Sequence, residues 1–94
     1  MKIYLVYEKR YTDFENGEES EVYINSAYKS RRKAARIAKQ MLRNAKEYDL
    51  YTYEKDFKKK NPFKTKNWVD LYKEEYNGEY RVGSIVIEET KLVA

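Results

Sequence analysis

Hydrophobic and polar residues alternate near the start of the chain with the period of two that is typical of β-strands. Two such stretches predict two strands, each with one apolar face. Between them, residues 12–18 hold an Asn-Gly pair among acidic residues, which indicates a hairpin loop. The residues expected on the apolar faces are Ile3, Leu5 and Tyr7 in the first strand and Val22, Ile24 and Tyr28 in the second.

Residues 30–48 follow the period of an α-helix instead. Wound at about 100° per residue, the apolar side chains form one stripe and the cationic side chains occupy the opposite side. Ser30 is the expected N-cap, because its hydroxyl can accept a hydrogen bond from a backbone N–H that the helix leaves free. The apolar stripe consists of Ala34, Ile37, Ala38, Met41, Ala45 and Tyr48, with Leu42 at its edge. The cationic side, called the basic ridge from here on, consists of Arg32, Arg36, Lys39, Arg43 and Lys46.

The middle of the chain is ambiguous. Residues 49–60 fit a helix through Leu50, Tyr53 and Phe57, but they fit a strand nearly as well. The Asn61-Pro62 pair ends either element, because a residue before proline avoids the helical conformation. The lysines of residues 58–66 indicate a solvated basic loop, since like charges repel and keep a segment extended.

The last third predicts a hairpin. Residues 68–76 fit a helix ending at Gly78, but an Asn-Gly pair between aromatic-rich, β-prone runs favours a hairpin turn. A two-residue turn there would set Glu74 opposite Arg81, a favourable cross-strand pair. The final strand includes residues 82–87, in which Gly83 indicates a bulge or a close approach of another backbone.

These elements predict an α+β fold in one domain covering residues 1–94. We expect an antiparallel sheet of about four strands in the order β-β-α-β-β, with one long amphipathic helix on one face. A short second helix in residues 49–60 stays open as an alternative. The eleven tyrosines are interpreted first as replacements for aliphatic residues in a thin core, and otherwise as a contact surface.

Composition narrows the chemistry. The chain has no cysteine and no histidine, which excludes disulfides, Cys–His and Ser–His nucleophiles, and zinc sites built on those ligands. Glu89-Thr90-Lys91 resembles the strand-end acid and lysine of magnesium-dependent nucleases, but Asp70 is its only candidate partner. We therefore predict no catalytic residues, no metal site and no cofactor. No apolar run approaches the length of a membrane span, and we expect a cytoplasmic protein without a membrane partner.

The charge of +4 is unevenly distributed. Residues 1–28 carry a net charge of −3, residues 29–47 carry +7, residues 48–70 carry +2 and residues 71–94 carry −2. Like-charged neighbours three or four residues apart on a helix cost about 0.2–0.5 kcal/mol per pair. A solubilising face would interleave glutamates, so we interpret the basic ridge as a binding surface for an anionic partner.

Residues 2–38 and 79–93 carry a resemblance to a group of proteins. Their leading hairpin, their helix begun by serine, basic residues and alanines, and their closing acidic strand resemble small uncharacterised proteins of Gram-positive bacteria, their phages and mobile elements. The resemblance implies an accessory protein of mobile DNA, similar in size and in its lack of catalytic groups to anti-defence inhibitors such as anti-CRISPR proteins.

The resulting hypothesis is a non-enzymatic binding protein whose basic ridge engages an anionic surface of a host protein complex. The alternative is direct binding of DNA or RNA, and a metal-dependent nuclease is a remote third hypothesis. Candidate aromatic anchors for a partner are Tyr4, Tyr23 and Trp68, although Trp68 is interpreted first as a core residue packed against the sheet. A homodimer is compatible with the sequence but not indicated by it.

Overall fold

The chain folds into four antiparallel strands and one long helix. The computed structural model describes residues 1–11, 20–54, 56–57, 59–76 and 78–91. The strands are β1 (Lys2–Tyr11), β2 (Ser20–Tyr28), β3 (Trp68–Glu75) and β4 (Gly78–Lys91), and the helix is α1 (Arg31–Asn44). Two short 3₁₀ helices cover Ala45–Tyr48 and Pro62–Lys64. The sheet order is β2-β1-β4-β3. The predicted α+β fold with the order β-β-α-β-β is therefore confirmed.

Helix α1 begins where the sequence predicts it. The backbone N–H of Lys33 donates to the Ser30 hydroxyl over 3.2 Å, which confirms Ser30 as the N-cap. The α-helix ends at Asn44 and continues as the first 3₁₀ helix, so the predicted stripe does not extend to its last member. Tyr48 is 65% exposed, because the tighter 3₁₀ turn rotates it away from the sheet.

The core lies between α1 and one face of the sheet. Small side chains on α1 let its backbone approach the strands closely, and Leu42 fills the space between them. Phe57 and Phe63, from the segment after α1, complete the core at 6% and 0% exposure. The buried set is Val6, Ala34, Ala35, Ala38, Leu42, Ala45, Phe57, Phe63, Val69, Leu71, Ile85 and Ile87.

The described part of residues 49–60 contains neither the helix nor the regular strand that the sequence left open. Tyr51 makes a single antiparallel bridge with Tyr72 at the outer edge of β3, with N···O distances of 2.9 and 2.8 Å. Asp56 takes a left-handed conformation with φ 56°, which turns the chain so that Phe57 enters the core. Residues 62–64 then form the second 3₁₀ helix instead of a wholly solvated loop.

Strand β1 presents to the helix the opposite face from the one predicted. Val6 is fully buried and Tyr4 packs against the core, whereas Ile3, Leu5 and Tyr7 lie on the other side of the sheet. The prediction was wrong because both sets of alternating positions are apolar. A period of two identifies two faces but does not say which of them the helix covers.

A β-bulge explains a second error, in β2. Val6 pairs with Ser26 and Tyr7 pairs with Ile24, so Asn25 is an extra residue in β2. Because of it, the β2 side chains that precede Asn25 point to the opposite faces of the sheet from those that an unbroken alternation would give. Tyr28 packs against the core as predicted. Ile24 and Val22, also predicted for the core, are 65% and 49% exposed on the far face of the sheet.

The β3–β4 hairpin is confirmed, but the residue opposite Glu74 is two positions away from the predicted one. Glu75 pairs with Gly78, so Glu74 lies opposite Glu79, and Arg81 lies opposite Tyr72. Val82 is a bulge residue, because Arg81 pairs with Tyr72 and Gly83 pairs with Leu71. Of the two alternatives for Gly83, the close approach is confirmed, since a Cβ there would lie 2.1 Å from the carbonyl oxygen of Lys9.

Helix α1 covers one face of the sheet, and no described element lies over the other. We call this other face the open face. Trp68 lies on it and is 62% exposed, which contradicts its interpretation as a core residue. The predicted hairpin loop at 12–18 falls outside the described residues. Within the described ranges, no helix has both the length and the apolar composition that crossing a bilayer requires.

Candidate functional site

The basic ridge projects from the side of α1 that faces away from the sheet. Arg32, Arg36, Arg43 and Lys46 are exposed, and Lys39 is half-buried. The Lys46 ammonium lies 5.4 Å from the ring centre of Phe57, a cation–π contact. Among the described residues, no carboxylate forms an ion pair with Arg32, Arg36, Arg43 or Lys46. The ridge therefore keeps most of its positive charge uncompensated.

A cleft with a volume of about 640 Å³ runs beside the ridge, between α1 and residues 59–64. We call it the basic cleft. The described residues that line it include six cations and no acid. They are Arg31, Arg32, Ala35, Arg36, Lys39, Lys59, Asn61 and Lys64.

Buried and hydrogen-bonded groups hold the second wall of the cleft against the helix. The Arg31 guanidinium donates to the carbonyl oxygens of Phe63 and Lys66 over 2.6 and 3.0 Å, and to the Asn67 side chain over 2.9 Å. The Asn61 side chain donates to the Ala35 carbonyl oxygen over 3.0 Å and accepts from the Phe63 N–H over 3.0 Å. Arg31 is therefore a structural member of the cleft.

The electrostatics of the cleft favour an anion. The first turn of α1 contains no acid, although the amino end of a helix carries a partial positive charge. Each cation there destabilises the helix by about 0.3–1 kcal/mol, whereas an acid would stabilise it by a similar amount. Arg32 and Arg36 also repel each other across one helical turn, at a cost of about 0.2–0.5 kcal/mol. A bound phosphate or carboxylate would relieve both unfavourable terms.

The candidate aromatic anchors do not gather beside the ridge. Tyr4 packs against the core, and Tyr23 lies 47% exposed at the β2 edge, where the Arg10 guanidinium is 5.0 Å from its ring centre. The Tyr23 hydroxyl donates to Glu21, and this hydrogen bond raises the pKa of Tyr23. Trp68 is on the open face, across the sheet from α1. The structure therefore separates the basic surface from the most exposed anchor.

Lys59 and Lys64 also belong to the cationic surface, which the sequence pattern does not predict. Their lysine run predicts only a solvated loop, because a run of lysines by itself says nothing about what it faces. A signal was nevertheless present in the side chains between them. Asn61 before Pro62 is a favourable start for a short helix, and Phe63 is a core-forming residue, so the loop had to fold back.

The carboxylates considered for a nuclease are not brought together. Asp70 pairs with Ser84 on the open face, whereas Glu89 pairs with Tyr4 on the face that carries α1. Glu89 forms an ion pair with Lys2 at 3.2 Å, which raises the pKa of that lysine. In the part of the chain that the structure describes, no cluster of three or more acidic residues could hold a metal ion.

Tyrosine side chains cluster at the β3 edge, and one of their hydroxyls donates a hydrogen bond to Glu79. The rings of Tyr53 and Tyr72 are 4.7 Å apart, and those of Tyr51 and Tyr72 are 6.0 Å apart. The Tyr51 hydroxyl donates to Glu79. Burial and that hydrogen bond raise the pKa of Tyr51, and hydrogen bonds from Tyr51 and Tyr53 lower the pKa of Glu79. These contacts also offset the repulsion between Glu79 and Glu74 opposite it.

Comparison of the chain with protein-family models, with curated proteins and with solved structures found no match. What the protein binds is therefore inferred from the geometry of the basic ridge and the basic cleft.

Proposed function

We propose that this protein is a non-enzymatic accessory protein that binds an anionic surface of a host protein complex through the basic ridge and the basic cleft. One observation carries the proposal: six cations line the cleft with no acid among its described residues, next to ridge arginines that no described carboxylate neutralises. Such a surface reduces the stability of the free protein, and an anionic partner would restore it.

The distribution of charge favours a protein partner of limited footprint. The cationic groups are concentrated on α1 and on residues 59–64, whereas β3 and β4 carry exposed acids such as Glu74, Glu75 and Glu88. A partner with a local acidic patch would meet only the cations. A long polyanion would also meet the acids, which would repel it.

The resemblance of the sequence to proteins of phages and mobile elements supports an inhibitor or adaptor role, for which a defence complex is the host target. The cysteine-free composition agrees with action in the reducing cytoplasm.

Direct binding of nucleic acid is the second candidate, favoured by the shape of the cleft. Arg32 and Arg36 stand on one wall, and Lys59 and Lys64 stand on the other. A phosphodiester strand between these walls would be neutralised from both sides.

Affinity capture from extracts of a Gram-positive host tests the proposal. We expect the unmodified protein to retain a partner complex, Arg36→Glu to lose it, and Lys33→Glu to retain it. Lys33 is the matched control, because it is exposed on the same helix but lies off the ridge and outside the cleft, 5.6 Å from the ring centre of Tyr28. Equal recovery of the partner by the unmodified protein and Arg36→Glu would refute the proposal.

Nuclease digestion of the extract and a salt titration separate the two candidates. Capture through a protein interface should survive digestion. Binding to nucleic acid should be lost when nuclease digests the extract. In the salt titration, the logarithm of its association constant should fall linearly with the logarithm of salt concentration, with a slope of about −0.9 for each phosphate neutralised on duplex DNA.

A further inference from the structure

The open face of the sheet carries a continuous row of apolar side chains across all four strands. Tyr7 of β1 pairs with Ile24 of β2 and with Val86 of β4, and Val86 pairs with Trp68 of β3. Residues that pair directly in antiparallel strands point to the same face. We call these four side chains the apolar row.

The apolar row is accessible from solvent. Ile24 and Trp68, at its two ends, are 65% and 62% exposed, and Tyr7 and Val86 in the middle are half-buried by their neighbours. A sheet with one face in solvent normally alternates apolar residues toward the core with polar residues toward water. Here both faces are apolar at the centre of the sheet, and α1 covers only one of them. Large exposed apolar patches of this kind mark interaction sites.

We propose that the open face is a homodimer interface, on which a second copy of this chain stacks sheet against sheet. This inference is independent of the basic ridge and the basic cleft, which lie on the other side of the molecule. Two observations favour a second copy as the occupant: stacking two copies sets apolar row against apolar row without net charge repulsion, and the area of the face suits a dimer.

The charge pattern does not oppose self-association. On the open face, Lys9 and Asp70 both pair with Ser84, in the line of residues on one side of the apolar row, and Glu88 lies in the line on the other side. A two-fold axis along the apolar row would stack the row of one copy on that of the other. It would place Glu88 of each copy within one strand of both Lys9 and Asp70 of the second copy, so that one attraction offsets one repulsion. The same mixture of charges gives the face no net positive charge, which disfavours a nucleic acid as its occupant.

The area of the face suits a stable dimer. Four strands spaced about 4.8 Å apart and ten residues rising about 3.3 Å each present roughly 600 Å² in projection, before the relief of the side chains is counted. Specific dimers bury about 800 Å² of accessible surface per partner, with aromatic residues enriched at the centre. Tyr7 and Trp68 supply those aromatic groups.

Sedimentation equilibrium and tryptophan fluorescence test the inference on the unmodified protein. At concentrations up to about 100 μM, where a standard-size interface should be occupied, we expect twice the chain mass of 11.4 kDa. Trp68 is the only tryptophan, so burial of its ring in the dimer should shift the emission maximum to the red on dilution. A monomer throughout this range, with constant emission, would overturn the inference.

Two variants at opposite edges of the sheet identify the surface. Ile24→Glu and Trp68→Glu should each raise the dimer dissociation constant by about 30-fold or more, because each puts a charge into the apolar row. Both side chains are mostly exposed, so the fold should tolerate the changes, which far-UV circular dichroism checks. Tyr76→Glu is the matched control, since Tyr76 is fully exposed outside the face and should leave the constant unchanged.

The pair of variants also separates this interface from pairing along the β2 edge. A dimer joined edge to edge through β2 would respond to Ile24→Glu but not to Trp68→Glu, which lies three strands away. A dimer insensitive to Trp68→Glu would therefore refute the open face as the interface.

Discussion

Reversal of the charge at Arg32 should stabilise the free protein while weakening its binding to an anionic partner. Arg32 is exposed in the first turn of α1, one helical turn before Arg36, and no described carboxylate forms an ion pair with it. Arg32→Glu replaces a cation with an anion at the positive end of the helix dipole. It also converts a repulsive pair into a Glu-to-Arg pair in the favourable orientation.

The size of the effect follows from these two contributions. Removal of the cation and gain of the anion at the helix terminus are each worth about 0.3–1 kcal/mol, and loss of the repulsion and gain of the attraction are each worth about 0.2–0.5 kcal/mol. Glutamate and arginine have similar helix propensities, so no opposing term arises from the backbone. We expect a gain of about 1–3 kcal/mol in the free energy of unfolding. For a domain of this size, that raises the melting temperature by about 4–24 °C.

Arg43→Glu is the matched control. It makes the same change in net charge and also lies on the exposed ridge, but at the last turn of α1, where a cation is favourable. The pair terms cancel, because repulsion from Lys39 becomes attraction and attraction to Glu47 becomes repulsion, whereas both dipole terms are lost. We therefore expect the free energy of unfolding to fall by about 0.6–2 kcal/mol. The two variants therefore differ in position along the helix and not in charge.

Thermal unfolding followed by circular dichroism measures the difference. The gain for Arg32→Glu should be large at about 10 mM salt, where charges act over about 30 Å, and small at about 1 M, where they act over about 3 Å. Equal effects of the two variants, or a gain that persists at high salt, would refute the electrostatic argument. If the Arg32→Glu protein is more stable and still captures the partner fully, the charge of Arg32 is not needed for binding.

Two further predictions concern the sheet. Gly83→Ala should lower the free energy of unfolding by about 2 kcal/mol or more, measured by urea denaturation, because its Cβ would lie 2.1 Å from the Lys9 carbonyl oxygen and must displace a central strand; an unchanged midpoint would show that β4 can shift without cost. The Tyr51 and Tyr53 hydroxyls lower the pKa of Glu79, so its contribution to stability is complete above its ordinary pKa of 4.5 and is lost as the pH falls through the lowered value. Glu79→Gln should therefore flatten the acid side of a plot of urea midpoint against pH, and an unaltered acid limb would contradict that assignment.

Local signals were sufficient for the elements of this fold. The spacing of the alanines, with Leu42 beside them, predicted α1, and the hydroxyl of Ser30 predicted where it begins. Asn-Gly between β-prone runs predicted the second hairpin, and Gly83 inside β4 predicted the close approach of Lys9. Each of these depends on residues a few positions apart, so neighbouring side chains determine the outcome.

The assignment of faces could not be made in the same way. Ile3 and Val6 are both apolar on opposite sides of β1, and the chain gives no local sign of which side the helix covers. One extra residue, Asn25, reverses β2 and carries Ile24 to the open face. The size of Trp68 favours burial in the core, but its strand pairing points it away from α1.

The sequence by itself determined that one helix would carry its cations on the side opposite its alanines, because helical periodicity is a property of the local chain. Only the tertiary structure decided that Lys59 and Lys64 stand across a cleft from Arg32 and Arg36, and that an apolar row crosses the uncovered side of the sheet. Both surfaces arise from long-range contacts. Phe63 folds its segment back against the helix, and strand register with its bulges sets which side chains share a face.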